Sequence, residues 1–275
     1  MESNNCPHCN GITNSADTTT IDAFDDADKT KSLERIYAQI VTSTNLDRDV
    51  YIKTADKLIE GVLNGFGTIN LSYNHEDQVM LRYLKTNVYK FSAAKQYHST
   101  SEMENLLHDK FIKDDHIVPF NEFKKEAGKI FDKYNERYLK AEYDDAIAKA
   151  QSASQWVEIE HNKDTYPNLE YVTARDGRVR PAHRLLDKII QPVNSKFWSI
   201  YMPPNGWNCR CTALQVDSDG VLTDLSTRKA PTMKEVPEIF RFNAGKEKRI
   251  YSEKHPYFRL DEEAQKAVDK LTKNI

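Results

Sequence analysis

Apolar residues recur at helical spacing from Leu33 onward, over most of the N-terminal half of the chain. The clearest run has apolar side chains three or four positions apart, at Ala55, Leu58, Ile59, Val62, Leu63 and Phe66. Gly65 and Gly67 then supply a stop signal, so the pattern predicts a helix that ends there. A second run, from about Glu76 to Tyr97, keeps its apolar side chains on one face and predicts a second helix.

Two further helical segments follow. The segment from Ser101 to Phe111 predicts a helix with Ser101 as N-cap, because Glu104 stands three residues later, as in a capping box. Pro119 opens a long segment in which aromatic and aliphatic side chains form one helical stripe as far as Ile147. We interpret this stripe as core, and its length predicts a bend or break near Asn135.

The pattern changes at Trp156. Residues 156–160 and 169–173 alternate with period 2, and both predict short strands. Pro181 predicts the first turn of a short helix that reaches Lys188, and Cys209 to Val216 predicts another strand. The order of elements predicts an α+β fold: a mainly helical N-terminal half followed by a compact, small α+β region with short strands.

Four regions are predicted along the chain. Residues 1–30 are rich in Asn, Thr, Ser and Asp and predict a disordered polar tail, since they carry too few apolar groups to offset the entropy cost of ordering. Residues 31–155 form the helical region, and residues 156–216 form the α+β region. Residues 217–275 are a loop-rich C-terminal extension that ends in a helix from Asp261 to Lys273.

Composition and charge exclude some classes of function. The chain has 39% hydrophobic and 29% charged residues and a formal net charge of −3. A protein that coats DNA normally carries a basic excess, so extensive DNA coating is disfavoured. No apolar run approaches the roughly 20 residues that span a bilayer, so no membrane is expected. The first residues lack the basic and apolar regions of a secretory signal, and we expect the protein to stay where it is made.

Two blocks in the second half of the chain carry a resemblance. The first, Thr173 to His183, reads Thr-x-x-Asp-x-Arg-Val-Arg-x-x-His. The second, Pro203 to Cys211, reads Pro-Pro-Asn-Gly-Trp-x-Cys-Arg-Cys. Together they resemble the signature of the phage Mu protein F-like family of minor head proteins, and the resemblance extends from about residue 35 to about residue 260.

The resemblance implies a minor capsid, or head morphogenesis, protein of a tailed phage or prophage, with no catalytic residues. Such a protein would act near the portal in procapsid assembly, DNA packaging or ejection. Its partners would be the portal protein and other procapsid proteins, with contact to packaged DNA also expected. It would be assembled in the bacterial host cytoplasm and reside in the virion, in the head interior or at the portal vertex.

Cys209 and Cys211 are candidate metal ligands. Residues i and i+2 of a strand point to one face, so both thiolates could reach one ion. Zinc prefers four N, S or O ligands in a tetrahedron. His183 is the third candidate, because the resemblance implies a Cys-x-x-Cys pair at this place in some relatives, and Asp176 is a fourth. The cofactor would be structural zinc; the alternative is that the cysteines and His183 are core residues that bind nothing.

A second class of function stays open at this point: a phage-encoded effector or enzyme with a zinc or thiol centre. The N-terminal Cys6-Pro7-His8-Cys9 matches an oxidoreductase tetrapeptide, but no strand can precede it and Asn10-Gly11 breaks any helix after it. Half of a zinc knuckle and a tail that happens to hold two thiols are equal alternatives. Zinc deaminase chemistry is disfavoured, because the chain has no H-x-E motif.

Two groups of charged residues complete the candidates. Asp144 and Asp145 are interpreted as a solvated helix face. Arg175, Arg178, Arg180 and Arg184 form a small basic group that could contact the portal or DNA. We favour the alternative that these arginines pair with Asp176 and Asp187.

Overall fold

A computed structural model describes residues 21–67, 75–113, 116–228, 231 and 235–273. Cys6, Cys9 and most of the predicted tail therefore lie outside the described residues. Among the residues that the structure describes, no helix is both long enough and apolar enough to cross a membrane.

Helices dominate the described part of the chain. The α-helices are α1 (Asp26–Tyr37), α2 (Arg48–Phe66), α3 (His75–Leu106), α4 (Phe120–Asp132), α5 (Leu139–Asn162), α6 (Pro181–Leu186), α7 (Trp198–Tyr201), α8 (Ala244–Glu247) and α9 (Glu262–Thr272). Two π-helical segments, Leu107–Phe111 and Lys133–Tyr138, continue α3 and α4, and two 3₁₀ turns cover Glu238–Phe240 and Pro256–Phe258.

Within the described residues, the strands form two small sheets. They are β1 (Ile112–Lys113), β2 (His116–Ile117), β3 (Asn168–Val172), β4 (Ile190–Pro192) and β5 (Thr212–Val216). β1 and β2 pair with each other, whereas β3 is the central strand of a three-stranded antiparallel sheet in the order β4-β3-β5. In the register of this sheet, Tyr171 is paired with Ala213, and Leu169 is paired with Gln191 of β4 and Gln215 of β5. The predicted α+β class, with a helical N-terminal half, is confirmed.

The described residues divide into two compact units, each defined by the contacts among its own residues. One unit draws on Gly61–Leu84 and Asp144–Lys254 and contains the three-stranded sheet. Its core is built from aromatic, aliphatic and sulfur side chains, among them Trp156, Leu169, Tyr171, Leu186, Trp198, Cys209, Cys211, Ala213 and Phe240. The other unit comprises the described residues within 18–60, 85–143 and 255–275, with α1 packed against α4.

Helix α1 begins inside the segment predicted to be a tail. The side chain of Asp25 accepts a hydrogen bond from the Asp28 backbone N–H at 2.7 Å, and Asp28 accepts one from Asp25 in return. This reciprocal capping satisfies two amides that the first helical turn leaves without partners. Phe24 adds an edge-to-face contact with Phe131, with ring centroids 5.5 Å apart. The cluster of aspartates is therefore a helix start at residues 25–28, and the prediction of disorder there is wrong.

Helix α3 does not end near Tyr97, so the predicted N-cap at Ser101 is also wrong. The side chain of Glu104 accepts instead from the backbone N–H of Ser43 at 2.8 Å. The apolar pattern is interrupted because the buried face of the helix carries polar side chains between Phe91 and Met103: Ser92, Lys95, Gln96, Ser99 and Thr100. One continuous helix thus has the sequence pattern of two.

The long helical segment that Pro119 opens has the predicted irregularity. The π-helical segment Lys133–Tyr138 contains Asn135, so the predicted irregularity is confirmed at that position.

The predicted strand at Trp156 is wrong, because α5 continues to Asn162. Ala153, Trp156 and Ile159 are buried three residues apart, which is helical spacing, and the five-residue alternation is coincidental.

The two glycines at the end of α2 have different roles. Gly67 has φ +88°, a left-handed conformation that ends the helix, so the predicted stop is confirmed there. Gly65 lies within α2, and a Cβ on it would collide with the backbone of Ile147 in α5. Gly65 therefore permits a close approach of two helices.

Candidate metal centre

Cys209 and Cys211 lie just before β5, which begins at Thr212. The strand predicted to start at Cys209 is therefore three residues shorter than expected. A tight turn precedes the cysteines: the Cys209 N–H donates to the Gly206 carbonyl at 3.1 Å, and Asn208 has φ +55°. The turn brings both sulfur atoms to one side without a strand.

His183 lies in α6, the short helix that Pro181 opens as predicted. Its Nδ1 atom is 3.6 Å from Cys209 Sγ and 3.6 Å from Cys211 Sγ. One ligand atom from each of the three residues lies within 4.8 Å of the others. His183 and Cys209 are 3% exposed and Cys211 is 6% exposed, so the cluster lies in the core. The structure thus brings together three of the four predicted ligands.

The environment of the cluster favours a thiolate at Cys209. A hydrogen bond with Cys211, followed by one with His183, lowers the pKa of the Cys209 thiol well below its ordinary value. Burial raises the pKa of the neighbouring Tyr171 hydroxyl, which therefore stays protonated. The Tyr171 hydroxyl is thus a hydrogen-bond donor, and it donates to Asn205 Oδ1 at 3.0 Å.

Asn205 holds the loop beside the cluster and was missed in the sequence analysis. Its side chain is fully buried, accepts a hydrogen bond from the Tyr171 hydroxyl at 3.0 Å, and donates to the carbonyls of Met202 and Phe240 at 3.3 and 3.4 Å. A buried amide needs such partners, because an unsatisfied one costs about 1–3 kcal/mol. The Pro-Pro-Asn-Gly sequence that contains Asn205 was the available signal, although such a sequence by itself indicates only a loop.

Asp176, the fourth predicted ligand, is engaged elsewhere. Its two carboxylate oxygens accept from the Arg210 guanidinium at 2.6 and 2.7 Å. The hydrogen bonds from Arg210 lower the pKa of Asp176 to about 2. Asp176 is not among the residues whose ligand atoms cluster with the two sulfurs, and its predicted role as a ligand is not supported.

The basic group has its partners within the same region. Arg175 Nε lies 3.1 Å from Asp187 Oδ2, and Arg178 Nε lies 3.9 Å from Asp176. Arg180 donates to the Trp207 carbonyl at 2.6 Å, and Arg184 donates to the Val179 carbonyl at 3.0 Å. The preferred interpretation, local pairing, is therefore correct for Arg175 and Arg178, whereas Arg180 and Arg184 bond to backbone.

Asp145 is not on a solvated face. It is 3% exposed and lies 2.9 Å from the Lys149 ammonium, which is equally buried. The ammonium lies over the rings of Phe240 and Phe242, 4.6 and 4.7 Å from their centroids. The prediction fails because an ion pair between two buried side chains has the same sequence pattern as a solvated one.

The fold and the site together define an α+β protein in which one histidine and two cysteines form a buried cluster beside a small antiparallel sheet. The sequence model of phage Mu protein F like protein matches residues 53–214, more than half of the chain. The chain therefore belongs to the phage Mu protein F-like family, as its two blocks predicted.

A curated relative supports the same assignment. The chain is 37% identical over 75 residues to "Putative capsid assembly protein F" of Escherichia phage Mu. The match covers 27% of this chain and 17% of the Mu protein, so it spans a minor part of that relative's length. No solved structure matches the chain.

Proposed function

We propose that this protein is a minor capsid protein that acts in phage head morphogenesis. The observation that carries the proposal is the family match over residues 53–214, which includes both signature blocks. The similarity to a Mu protein named for capsid assembly points to the same process. A tailed phage or prophage is then the source of the chain, and the virion is its destination.

The contacts of the signature residues support a structural role. Asp176 and Arg210 join the first block to the second through two hydrogen bonds. His183 joins the same blocks through its contacts with both cysteines. Arg180 joins them a third time through the Trp207 carbonyl. Polar residues of the signature thus serve to fix one block against the other, which is what a folding signature requires.

We further propose that the protein acts near the portal vertex, with the portal protein and other procapsid proteins as partners. Contact with packaged DNA would be confined to a local basic patch, because a protein with a net charge of −3 lacks the basic excess that coats DNA. The protein would act in procapsid assembly, in DNA packaging or in DNA ejection.

Gene deletion in the phage that encodes the chain tests the proposal. We expect the deletion to lower the yield of infectious particles, and a plasmid copy to restore it. Asp176→Ala, which removes the partner of Arg210, should complement less well than Asp219→Ala, which changes an exposed carboxylate. A deletion phage that forms infectious particles at the normal yield contradicts the proposal.

The second function, an effector or enzyme with a zinc or thiol centre, draws on the same cluster. Its burial argues against it, because a substrate would have to reach ligand residues that are 3–6% exposed. A catalytic or toxic activity that Cys209→Ala abolishes, in a phage whose heads assemble normally without the protein, would favour this second function.

A further inference from the structure

We propose that His183, Cys209 and Cys211 bind a zinc ion that joins α6 to the segment preceding β5. The inference concerns a site within the fold and does not depend on the proposed role in head assembly. It rests on distances, on hydrogen-bonding capacity and on charge.

The distances fit a tetrahedral ion. Zinc bonds of about 2.3 Å to sulfur and about 2.05 Å to nitrogen, at a tetrahedral angle, separate the sulfur from the nitrogen by about 3.6 Å. His183 Nδ1 lies 3.6 Å from each of the two sulfurs. Both measured edges of the ligand triangle therefore have the length that zinc imposes.

Hydrogen bonds alone cannot account for the contacts of His183 Nδ1 with both sulfur atoms. The Nδ1 atom of a histidine has one hydrogen or one in-plane lone pair, so it makes one linear hydrogen bond at a time. Two sulfur atoms nevertheless lie at the same distance from it. A metal ion in the centre resolves this mismatch, because each of the three atoms then directs one lone pair to the same point.

Charge and ligand type select zinc. Two thiolates neutralise a divalent cation, so the complex carries no net charge and can lie in the hydrophobic core that contains Leu186 and Ala213. A pair of thiolates with an imidazole suits zinc, whereas Mg²⁺ and Ca²⁺ require oxygen ligands. Asp176 would add a negative charge, and its oxygens are bonded to Arg210. We assign the fourth position to a neutral ligand, water.

The ion would connect segments that are distant in sequence. His183 is 26 residues from Cys209 and 28 from Cys211. Closing this loop through a metal contributes directly to folding, because the ligands are not assembled in the unfolded chain. The Arg180 contact with Trp207 joins the same segments without metal, so the metal-free chain is expected to be destabilised rather than unable to fold.

Metal analysis of the full chain, purified without a histidine tag, tests the site. Because Cys6 and Cys9 carry the other two thiols, the measurement is made in wild type and in a Cys6→Ser/Cys9→Ser variant. We expect about one equivalent of zinc in both. His183→Ala and Cys211→Ser should lose it, His183→Cys should keep it, and the exposed His108→Ala should not change it.

Two measurements on the wild-type chain avoid dependence on variants that fail to fold. A chelator should lower the melting temperature, and zinc, but not magnesium, should restore it. Cobalt substituted for zinc should give thiolate-to-cobalt absorption and the visible bands of tetrahedral coordination. Zinc far below one equivalent with a melting temperature indifferent to chelator overturns the proposal. So does zinc that persists in His183→Ala or disappears in Cys6→Ser/Cys9→Ser.

Discussion

Arg210 donates two hydrogen bonds to Asp176, one to each carboxylate oxygen, at 2.6 and 2.7 Å. The two residues are 34 positions apart, and each belongs to one of the two signature blocks. Both side chains are mostly buried, with 15% and 14% of their surface exposed. This two-point ion pair is the most direct link between the blocks that identify the family.

The ion pair predicts a dependence of stability on pH. Arg210 lowers the pKa of Asp176 from 3.8 to about 2, so its contribution to stability is present above about pH 4 and is lost as the pH falls towards 2. Asp176→Asn should lower the free energy of unfolding by about 1–2 kcal/mol at neutral pH. Urea denaturation of both proteins should show this difference at pH 6 and a smaller one at pH 3. An equal difference at both values contradicts the prediction.

Gly65 predicts a steric effect between α2 and α5. Gly65→Ala should destabilise the protein by about 1–3 kcal/mol, since the added Cβ meets the Ile147 backbone, which cannot rotate away. Gly128→Ala is the matched helical control, because its Cβ meets the flexible end of Lys29. Alanine also has the higher helix propensity, so the control should be neutral or stabilising by up to about 1 kcal/mol. Equal melting temperatures for the two variants would show that α2 and α5 do not approach as described.

The buried pair of Lys149 and Asp145 predicts non-additive mutations. Burial lowers the pKa of Lys149, and the nearby carboxylate opposes this effect. Lys149→Met should cost about 3–5 kcal/mol, because a carboxylate remains in the core after its cation is removed. Lys149→Met/Asp145→Leu should be more stable than Lys149→Met alone. Additive losses in this double-mutant cycle contradict the account of the pair.

Asn205 predicts a graded loss of stability. Asn205→Ala should destabilise the protein by about 2–3 kcal/mol, since it removes the acceptor of the Tyr171 hydroxyl and the donor to three backbone carbonyls. Tyr171→Phe removes one of these hydrogen bonds and should cost about 1 kcal/mol. Chemical denaturation measures both, and a larger loss for Tyr171→Phe would contradict this order.

The elements predicted correctly from sequence are those with local signals. Pro181 opens α6, Gly67 ends α2 and Asp261 caps α9. Each signal acts within one turn of chain, so neighbouring residues suffice to determine the result. The prediction of His183 with Cys209 and Cys211 as one cluster drew on the family resemblance, because a distance across 26 residues has no local signal.

Two of the incorrect predictions share one cause, which is that burial depends on the whole fold. Trp156 alternates with polar neighbours over five residues, but α5 buries a face of the helix there. Asp145 has the sequence pattern of a solvated residue, but Lys149 neutralises it in the core. In both cases a short stretch of sequence does not show which face of the helix is buried.

Quantitative mass spectrometry of purified procapsids and of DNA-filled heads tests the proposed function most directly. The account predicts that the protein is present in both kinds of particle, at a copy number close to that of the portal protein and far below that of the major capsid protein. Comparison with heads that have released their DNA will show whether it leaves with the genome. Absence of the protein from both procapsids and filled heads would contradict the account.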